Sequence, residues 1–351
     1  MSVSGSQPWV EGPIKTVDEL EERLSRPAPE VVDLMGRLEG DLIVLGVGGK
    51  IGPSLARMAR RASDEAGRRR RVIGVSRFSR PGLQEQLEAQ GIETIRCDLL
   101  DRSALEALPD VPLVLYLAAM KFGATGNEPL TWAMNTYLPG MVAERYRNSR
   151  IVAYSTGNVY AMAPVTSNGS VETDPPCPVG DYAMSCLGRE RIFSYFSQRF
   201  EIPTALVRLN YANELRYGVL TDLAQKVLAE QPIDLNMGYF NVIWQGDSNA
   251  MTLRALEHVA VPPWVVNMTG PDKLRVRDVA EQFGRLLDKP VRFHGTEAPD
   301  ALLSDARRGY AKLGRPQVSV EQMIRWVAYW QQQGGPTLGK PTHFETRDGK
   351  F

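Results

Sequence analysis

Residues 41–52 read Asp41-Leu-Ile-Val-Leu-Gly-Val-Gly-Gly-Lys-Ile-Gly52, and this stretch decides the fold. The four residues after Asp41 form an unbroken apolar run, which is typical of a parallel strand buried on both faces. Gly46, Gly49 and Gly52 follow at G-x-x-G-x-x-G spacing, and an amphipathic helix pattern comes next. Such glycines allow a tight turn and a close approach of the backbone to a pyrophosphate at the helix N-terminus. A glycine-rich turn without a ligand is the alternative, but the strand–turn–helix context favours dinucleotide binding.

The composition limits the classes of protein to consider. The chain has 351 residues, enough for a large core and two lobes. Lys plus Arg equals Asp plus Glu, 41 each, so the charge does not indicate binding to nucleic acid or to a membrane surface. We find no apolar stretch of the roughly 20 residues that span a membrane and no secretory signal. The scattered Cys97, Cys177 and Cys186 fit a cytoplasmic protein without disulfides, and no spacing resembles a metal site.

The chain is expected to contain four segments. Residues 1–40 form an N-terminal helical arm, in which Thr16 caps the first helix, and it packs outside the sheet or on a partner subunit. Residues 41–210 form the dinucleotide-binding domain, and residues 211–333 mainly form a substrate lobe. Residues 334–351 form a tail that wraps the surface or is mobile. Four consecutive arginines at 68–71 precede the second strand, opposite the ligand crevice, and are expected to form a solvated turn.

The end of the second strand, residues 72–75, bears on the choice of cofactor. A carboxylate there would bind the ribose hydroxyls of NAD, but this chain has Ser76 and Arg77, with Arg80 close behind. A hydroxyl and a cation suit a 2′-phosphate, so the sequence favours NADP, with NAD as the second choice. The alternative is that Arg77 is only a solvated loop residue.

Two further strand ends carry candidate cofactor contacts. Asp98 ends the third strand, where it would accept the adenine amino group or else cap the helix that begins at Asp101. The fourth strand, residues 111–117, ends in Ala118 and Ala119, which are small enough for a cofactor to cross the sheet edge. Lys121 follows and is expected at the mouth of the crevice.

Taken in order, these motifs resemble the extended short-chain dehydrogenase/reductase family, the NAD(P)-dependent epimerases and dehydratases. Between about residues 41 and 331 the matching pieces are Gly46-x-x-Gly49-x-x-Gly52, Asp98-Leu99, Tyr116-Leu-Ala-Ala119, Asn135, Tyr154-Ser-Thr-Gly-Asn-Val-Tyr160, Tyr182-Ala-Met-Ser-Cys186, Arg208-Leu-Asn210, Asn267-Met-Thr-Gly270 and Val276-Arg-Asp-Val279. The resemblance implies an α/β fold: a doubly wound, Rossmann-type parallel sheet with a smaller mixed C-terminal substrate lobe. It also implies a homodimer paired through the helices after strands four and five.

The resemblance also implies a catalytic chemistry. Tyr182 would move a proton to or from the reacting hydroxyl of a sugar-like or small hydroxy/keto substrate, and Thr156 would hydrogen-bond a substrate oxygen. The contacts that the motifs imply for the cofactor are Gly46, Gly49, Lys50, Ile51, Gly52, Ser76, Arg77, Asp98, Leu99, Leu117, Ala118, Ala119 and Tyr182.

Cys186 stands where this family has a lysine that holds the nicotinamide ribose and lowers the pKa of the tyrosine. A neutral thiol supplies no positive field, so the pKa of Tyr182 is expected to stay near its usual value of about 10. Three interpretations stay open. The enzyme is active with a rewired base, for which Lys121 is the nearest candidate; or it uses Tyr182 less efficiently on an easily deprotonated substrate; or it is a catalytically silent dinucleotide-binding sensor or assembly partner. Cys186 itself is expected to be a small buried thiol.

The second lobe gives limited information about the substrate. Family members that act on nucleotide sugars often have an arginine after strand six that pairs with the diphosphate, but residues 231–247 contain no arginine or lysine. This segment offers neutral side chains for hydrogen bonding and stacking, or simply strand and core, at Asn236, Tyr239, Asn241, Trp244 and Gln245. A neutral sugar-like substrate or a small polyol or ketone is therefore favoured. The arginines that remain able to bind a diphosphate are Arg216, Arg254 and Arg275.

Overall fold

The computed structural model describes residues 12–121 and 123–350, and its elements alternate as the sequence predicts. The α-helices are α1 Val17–Leu24, α2 Pro29–Arg37, α3 Gly52–Glu65, α4 Leu83–Glu88, α5 Arg102–Glu106, α6 Glu128–Trp132, α7 Leu138–Arg145, α8 Gly180–Phe200, α9 Val219–Leu228, α10 Gln245–Ala255, α11 Val276–Leu287, α12 Arg307–Leu313 and α13 Val320–Gln332. A π-helical stretch, Ala133–Tyr137, joins α6 to α7, and a 3-10 turn, Gly157–Val159, follows the fifth strand.

The strands form one large sheet and several small pairs. They are β1 Leu42–Leu45, β2 Val72–Ser76, β3 Glu93–Arg96, β4 Leu113–Tyr116, β5 Arg150–Thr156, β6 Ala163–Pro164, β7 Thr204–Leu209, β8 Ala212–Asn213, β9 Ile233–Asp234, β10 Tyr239–Phe240, β11 Ile243–Trp244, β12 Trp264–Met268, β13 Leu274–Arg275, β14 Phe293–His294 and β15 Asp300–Ala301. The large sheet has the order β3-β2-β1-β4-β5-β7-β12, and all its neighbours are parallel.

This strand order confirms the predicted doubly wound fold. The winding reverses between β1 and β4, and in such sheets the crevice at that switch point, outside the carboxyl ends of the strands, takes the ligand. Both faces of β1 are buried: Val44 packs toward α3 and α10, whereas Ile43 packs toward α7 and α8. The unbroken apolar run of β1 therefore follows from burial on both faces.

The N-terminal arm packs on the helix layer rather than directly on the sheet. Thr16 caps α1 as predicted, because its side chain accepts a hydrogen bond from the Glu19 amide. The helices α1 and α2 lie against α3 and α10. Among the helices of residues 12–121 and 123–350, none has the length and hydrophobicity that a membrane span requires.

The solvated turn predicted for the arginine run at 68–71 holds for Arg68, Arg69 and Arg71, which are exposed, but not for Arg70. Arg70 is only 7% exposed, and its guanidinium donates to the backbone carbonyls of Met35, at 2.6 Å, and Leu38. Arg71 forms an ion pair with Asp41 at 2.7 Å. The run lies at the amino end of the sheet, as expected, but it fastens the arm there through carbonyl groups that the sequence pattern does not reveal.

The second lobe has its own core, and the tail belongs to it. Trp326 and Trp330 are buried in this core. Phe344 is 1% exposed and its ring centroid lies 5.9 Å from that of Phe240. The tail is therefore anchored, and the expectation of a mobile segment is wrong for this part of it.

Candidate active site

The glycine loop after β1 is too narrow for side chains at two of its glycines. Gly46 has φ +90°, and a Cβ there would lie 2.6 Å from the backbone nitrogen of Ala118. A Cβ on Gly52 would lie 2.3 Å from the Val47 carbonyl oxygen. The loop leads into the first turn of α3, which no side chain caps. These features fit the pyrophosphate of a dinucleotide, which binds where backbone N–H groups point outward.

The predicted adenosine contacts lie at the ends of β2 and β3. Ser76 lies against the glycine loop, since a Cβ on Gly48 would be 2.3 Å from the Ser76 Oγ, and the Arg77 side chain is exposed. Asp98 is exposed and accepts from the Leu100 amide at 3.1 Å. The alternative that Asp98 caps the next helix is wrong, because the N-cap of α5 is Asp101.

Tyr182 and Thr156 come together at the carboxyl end of the sheet. Tyr182 lies in the first turn of α8, and Thr156 ends β5. The Tyr182 phenol lies close enough to the side chains of Thr156 and of Cys186, one turn along the helix, for both to affect its acidity. Thr156 is also tied to its own turn, since its Oγ1 donates to Asn158 Oδ1 at 2.9 Å. The two hydroxyls implied by the family resemblance are therefore adjacent.

Burial dominates the acidity of the phenol and of the thiol. It raises the pKa of Tyr182 well above its usual value, with the nearby thiol acting in the same direction and Arg189 and Thr156 acting against it. Burial also raises the pKa of Cys186, whose side chain is fully buried, as predicted. The expectation of an ordinary pKa for Tyr182 was thus too low, because the motif shows the missing lysine but not the depth of the phenol.

Lys121 lies beside Tyr182. Its ammonium nitrogen is 5.7 Å from the centroid of the Tyr182 ring and donates to the Thr342 carbonyl oxygen at 3.3 Å. Burial lowers the pKa of Lys121 to about 8, and the neighbouring Cys186 and Asp222 oppose this fall. A cation therefore stands near the phenol although the helix position of the family's lysine holds a thiol.

Lys50 extends from the glycine loop toward the C-terminal half. Its ammonium donates to the Ala212 carbonyl oxygen at 2.5 Å and lies 4.3 Å from the centroid of the Tyr217 ring. Burial lowers the pKa of Lys50 to about 7, an effect opposed by Glu214. Lys50, a predicted cofactor contact, therefore reaches across the crevice to Ala212 and Tyr217.

The sequence analysis missed the contribution of the tail to this site. Asp222, at the start of α9, accepts hydrogen bonds from both the amide and the hydroxyl of Thr342, at 2.8 and 2.6 Å. The carbonyl group of the same Thr342 accepts the hydrogen bond from Lys121 described above. Residues 120 positions apart in sequence meet here, and no motif spacing could have found them.

A buried polar network under α8 was also missed. The side chain of Asn135 donates to the Met120 carbonyl and accepts from the Met120 amide, both at 2.9 Å. Arg189 is 3% exposed and donates to Asn135 Oδ1 at 2.7 Å and to the Tyr154 carbonyl at 2.8 Å. Asn135 belongs to a predicted motif, but Arg189 beside Glu190 reads in sequence as a solvated helix face. The sequence signal that could have revealed its position is the spacing of seven residues from Tyr182, which places Arg189 on the same face of the helix.

Most of the candidate substrate side chains of the second lobe have structural roles. Asn241 is buried and bonded to the Asp272 carbonyl and the Ser304 amide, and Trp244 packs on Trp326. Gln245 is buried and donates to Ser54. The alternative of strand and core therefore holds for these three, whereas Asn236 and Tyr239 retain exposed surface.

The arginines proposed for a diphosphate are occupied as well. Arg216 pairs with Glu21 at 2.7 Å and with Glu214 at 3.1 Å. Arg275 pairs with Glu297 at 2.9 Å. The third, Arg254, contacts the Lys312 carbonyl at 3.5 Å.

Known proteins resemble this chain in sequence and in fold. A family model described as "NAD dependent epimerase/dehydratase family" matches residues 42–237. A UDP-glucuronic acid 4-epimerase from Bacillus cereus, solved with NAD, has 20% identity and a TM-score of 0.69, over 84% of this chain and 96% of that one. A dTDP-glucose 4,6-dehydratase from Bacillus anthracis, also solved with NAD, has 16% identity and a TM-score of 0.71, over 84% and 97%. At these identities the likeness shows the fold.

Further solved structures agree. The UDP-glucose 4-epimerase of Thermotoga maritima, solved with UDP-glucose, has 17% identity and a TM-score of 0.69, over 84% of this chain and 99% of that one. Among curated proteins, no sequence is similar enough to count as a relative. The names of the first two structures and the family description include NAD, so the predicted preference for NADP draws no support from these comparisons.

Proposed function

Since the chain belongs to the NAD dependent epimerase/dehydratase family, we propose that it is an NAD(P)-dependent enzyme that oxidises, reduces, epimerises or dehydrates a sugar-like or small hydroxy/keto substrate. Tyr182 is its acid/base and Thr156 binds the reacting oxygen. The observation that carries the proposal is that Tyr182 lies beside Thr156 with the Lys121 ammonium 5.7 Å from the centroid of the phenol ring.

These residues divide the work as follows. A bound nicotinamide supplies the acceptor or donor for hydride. In the oxidative direction, the Tyr182 phenolate takes the proton from the substrate hydroxyl, and Thr156 donates a hydrogen bond to that oxygen as it becomes a carbonyl. Lys121, in the loop that follows β4, stabilises the phenolate by its charge. In the reductive direction the same proton returns from Tyr182.

We propose a substrate without a nucleotide diphosphate. The solved structures named above include enzymes of UDP- and dTDP-sugars. In this chain Arg216 and Arg275 are already paired with carboxylates, so a diphosphate would have to displace the carboxylate from whichever arginine it bound. Screening sugars, polyols and ketones against nucleotide sugars, by the absorbance of reduced nicotinamide, tests this choice. Turnover of nucleotide sugars alone would refute it.

The cofactor preference rests on Ser76 and Arg77 at the end of β2. Arg77→Ala is expected to weaken NADPH binding by about ten- to a hundredfold, because one charge-assisted hydrogen bond contributes roughly 1.5–3 kcal/mol. Binding of NADH should be unchanged. Titration of tryptophan fluorescence with each cofactor measures both affinities, and Arg69→Ala, at the opposite end of the sheet, is the control. Equal affinities in the parent protein would reject the 2′-phosphate assignment.

Lys121→Met is expected to slow oxidation at pH 7 by about 10- to 1,000-fold, since an adjacent opposite charge lowers a pKa by about 1–3 units. The sign follows from the pKa of Lys121, which burial lowers to about 8: the side chain is charged below this pH and neutral above it. Its contribution should therefore fall as the pH rises through about 8.

The matched variant for this experiment is Lys121→Arg, whose guanidinium stays charged throughout the range. We expect this variant to lose the fall near pH 8 in the pH–rate profile. A Lys121→Met enzyme with the parent's rate and profile would show that Lys121 does not act on Tyr182.

A catalytically silent dinucleotide-binding protein is the second candidate function. The observation that favours it is the partial burial of Tyr182 and the full burial of Cys186, which raise both pKa values and hold both groups neutral. Tight cofactor binding, with no hydride transfer to or from any sugar-like substrate between about pH 6 and 10, would support this candidate over the enzyme.

We also propose that the protein is a homodimer. Apolar side chains are exposed on α6, on the π-helical stretch that follows it and on α8, within the segments that the family resemblance assigns to pairing. They are Leu130, Trp132, Tyr137, Met184 and Tyr195. Light scattering measures the mass in solution, and a monomer at all concentrations would exclude this pairing.

A further inference from the structure

Arg189 occupies the same face of α8 as Tyr182 and Cys186. The three residues are spaced i, i+4 and i+7, so they lie one above another along the helix. Cys186 is fully buried between the other two, and Arg189 is 3% exposed. A guanidinium therefore lies in the interior, below the thiol that replaces the family's lysine.

The partners of this guanidinium are all neutral. It donates to the Tyr154 carbonyl and to Asn135 Oδ1, and it lies 5.8 Å from the centroid of the Tyr116 ring. In the part of the chain that the structure describes, its Nε has no hydrogen-bond partner, and no carboxylate forms an ion pair with it. A buried charge without an ion-pair partner is unfavourable unless it interacts favourably with another group in the site.

The neighbouring residue on the helix shows the contrast. Glu190 faces Arg208, whose Nε and Nη2 donate to its two oxygens at 2.9 and 2.7 Å. Glu190 also accepts from Ser155 at 2.5 Å. This carboxylate is fully engaged by Arg208, so the positive charge of Arg189 is not neutralised locally and acts on the groups around it.

We propose that Arg189 is a positioning residue that supplies, from two turns below Tyr182, the positive field that the family's lysine supplies from one turn below. This inference rests on the proposed role of Tyr182 as the acid/base. Arg189 acts through space on the phenol and touches neither substrate nor cofactor. Asn135 holds it in place, and the same amide fixes the Met120 backbone next to Lys121.

Several charged or titratable groups face this site from the elements packed on it. The phenol of Tyr182 is influenced by Cys186 and Arg189 of α8. Further charged or titratable groups act on Cys186, Lys121 or Arg189. They are Lys121, Glu190, Asp222 and Tyr116. Lys121 and Arg189 are the two cations among them. Removing either one should raise the pKa of the phenol.

The test is a direct titration of the phenol. Tyr182 is replaced by difluorotyrosine, whose fluorine atoms acidify the phenol, and fluorine NMR follows its ionisation against pH without substrate or cofactor. Arg189→Met is expected to raise the midpoint by at least about one pH unit, a tenfold change in the ionisation constant. Arg189→Lys keeps the charge and should titrate closer to the parent than Arg189→Met does.

Arg70→Met is the matched control, because Arg70 is also a buried guanidinium bonded to backbone carbonyls, but it lies at the opposite end of the sheet. If Arg189→Met does not fold, Arg189→Gln removes the charge and keeps an N–H donor. A midpoint equal to that of Arg70→Met, or equal shifts for the Lys and Met variants, would overturn the proposal. Absence of turnover would refute the enzyme but would leave this titration valid.

Discussion

Tyr182→Phe is expected to reduce turnover by about 10²–10⁴-fold, the usual contribution of a positioned acid/base. The change removes only the hydroxyl that lies beside Thr156. It leaves the ring beneath Lys121 and the glycine loop unaltered, so cofactor affinity should fall far less than the rate. Rates of cofactor reduction and oxidation, measured with the affinity for each cofactor, separate the two effects.

The control for this variant is Tyr195→Phe, which removes the hydroxyl of an exposed tyrosine on the same helix. It should retain the parent's rate. A Tyr182→Phe enzyme that is fully active from about pH 6 to 10 would exclude Tyr182 as the acid/base. A variant that loses cofactor affinity together with rate would instead assign Tyr182 to binding.

Phe344→Ala is expected to lower the free energy of unfolding by about 3–5 kcal/mol, the range measured when a buried phenylalanine is truncated. Phe344 is 1% exposed and packs on Phe240 in the core of the second lobe. Urea denaturation followed by circular dichroism gives the change.

The same segment offers a control in Glu345→Gln, which removes a partly exposed ion pair with Lys226 at 3.2 Å. Such pairs contribute about 0–1 kcal/mol, so this variant should remain close to the parent. Because Thr342 bonds both Asp222 and Lys121, Phe344→Ala should also alter the pH–rate profile. Equal stability of the two variants would show that Phe344 does not anchor the tail.

The architecture was predictable because its signals are local. Burial on both faces of β1 requires a continuous apolar run, and the contacts around Gly46 and Gly52 exclude side chains. The cap of α1 depends on two residues three positions apart. The role of Arg70 was not predictable, since its partners are carbonyl groups of α2 and its end, about thirty residues earlier, and every residue has a carbonyl.

The candidate site was predictable only in part. Tyr182 and Thr156 follow from motifs, and Lys121 follows from its place after β4; the structure places all three together, while their roles stay predictions. The depth of the phenol, and with it the direction of its pKa shift, depends on packing that no motif encodes. The substrate interpretation of Trp244 went wrong for the same reason, since a buried aromatic residue and a stacking one look alike in sequence.

The position of Thr342 and Phe344 has a consequence for the order in which the protein is made. The ribosome synthesises β1, β4, β5 and α8 well before these two residues, and domains tend to fold in that order. Until these residues leave the ribosome, Asp222 lacks the two hydrogen bonds that Thr342 donates, and Lys121 lacks the Thr342 carbonyl as an acceptor. The apolar surface around Phe240 that Phe344 covers is then exposed. A nascent chain that ends before residue 342 therefore displays a hydrophobic surface of the kind that chaperones bind. The candidate active site is therefore completed only after residue 342 has been synthesised.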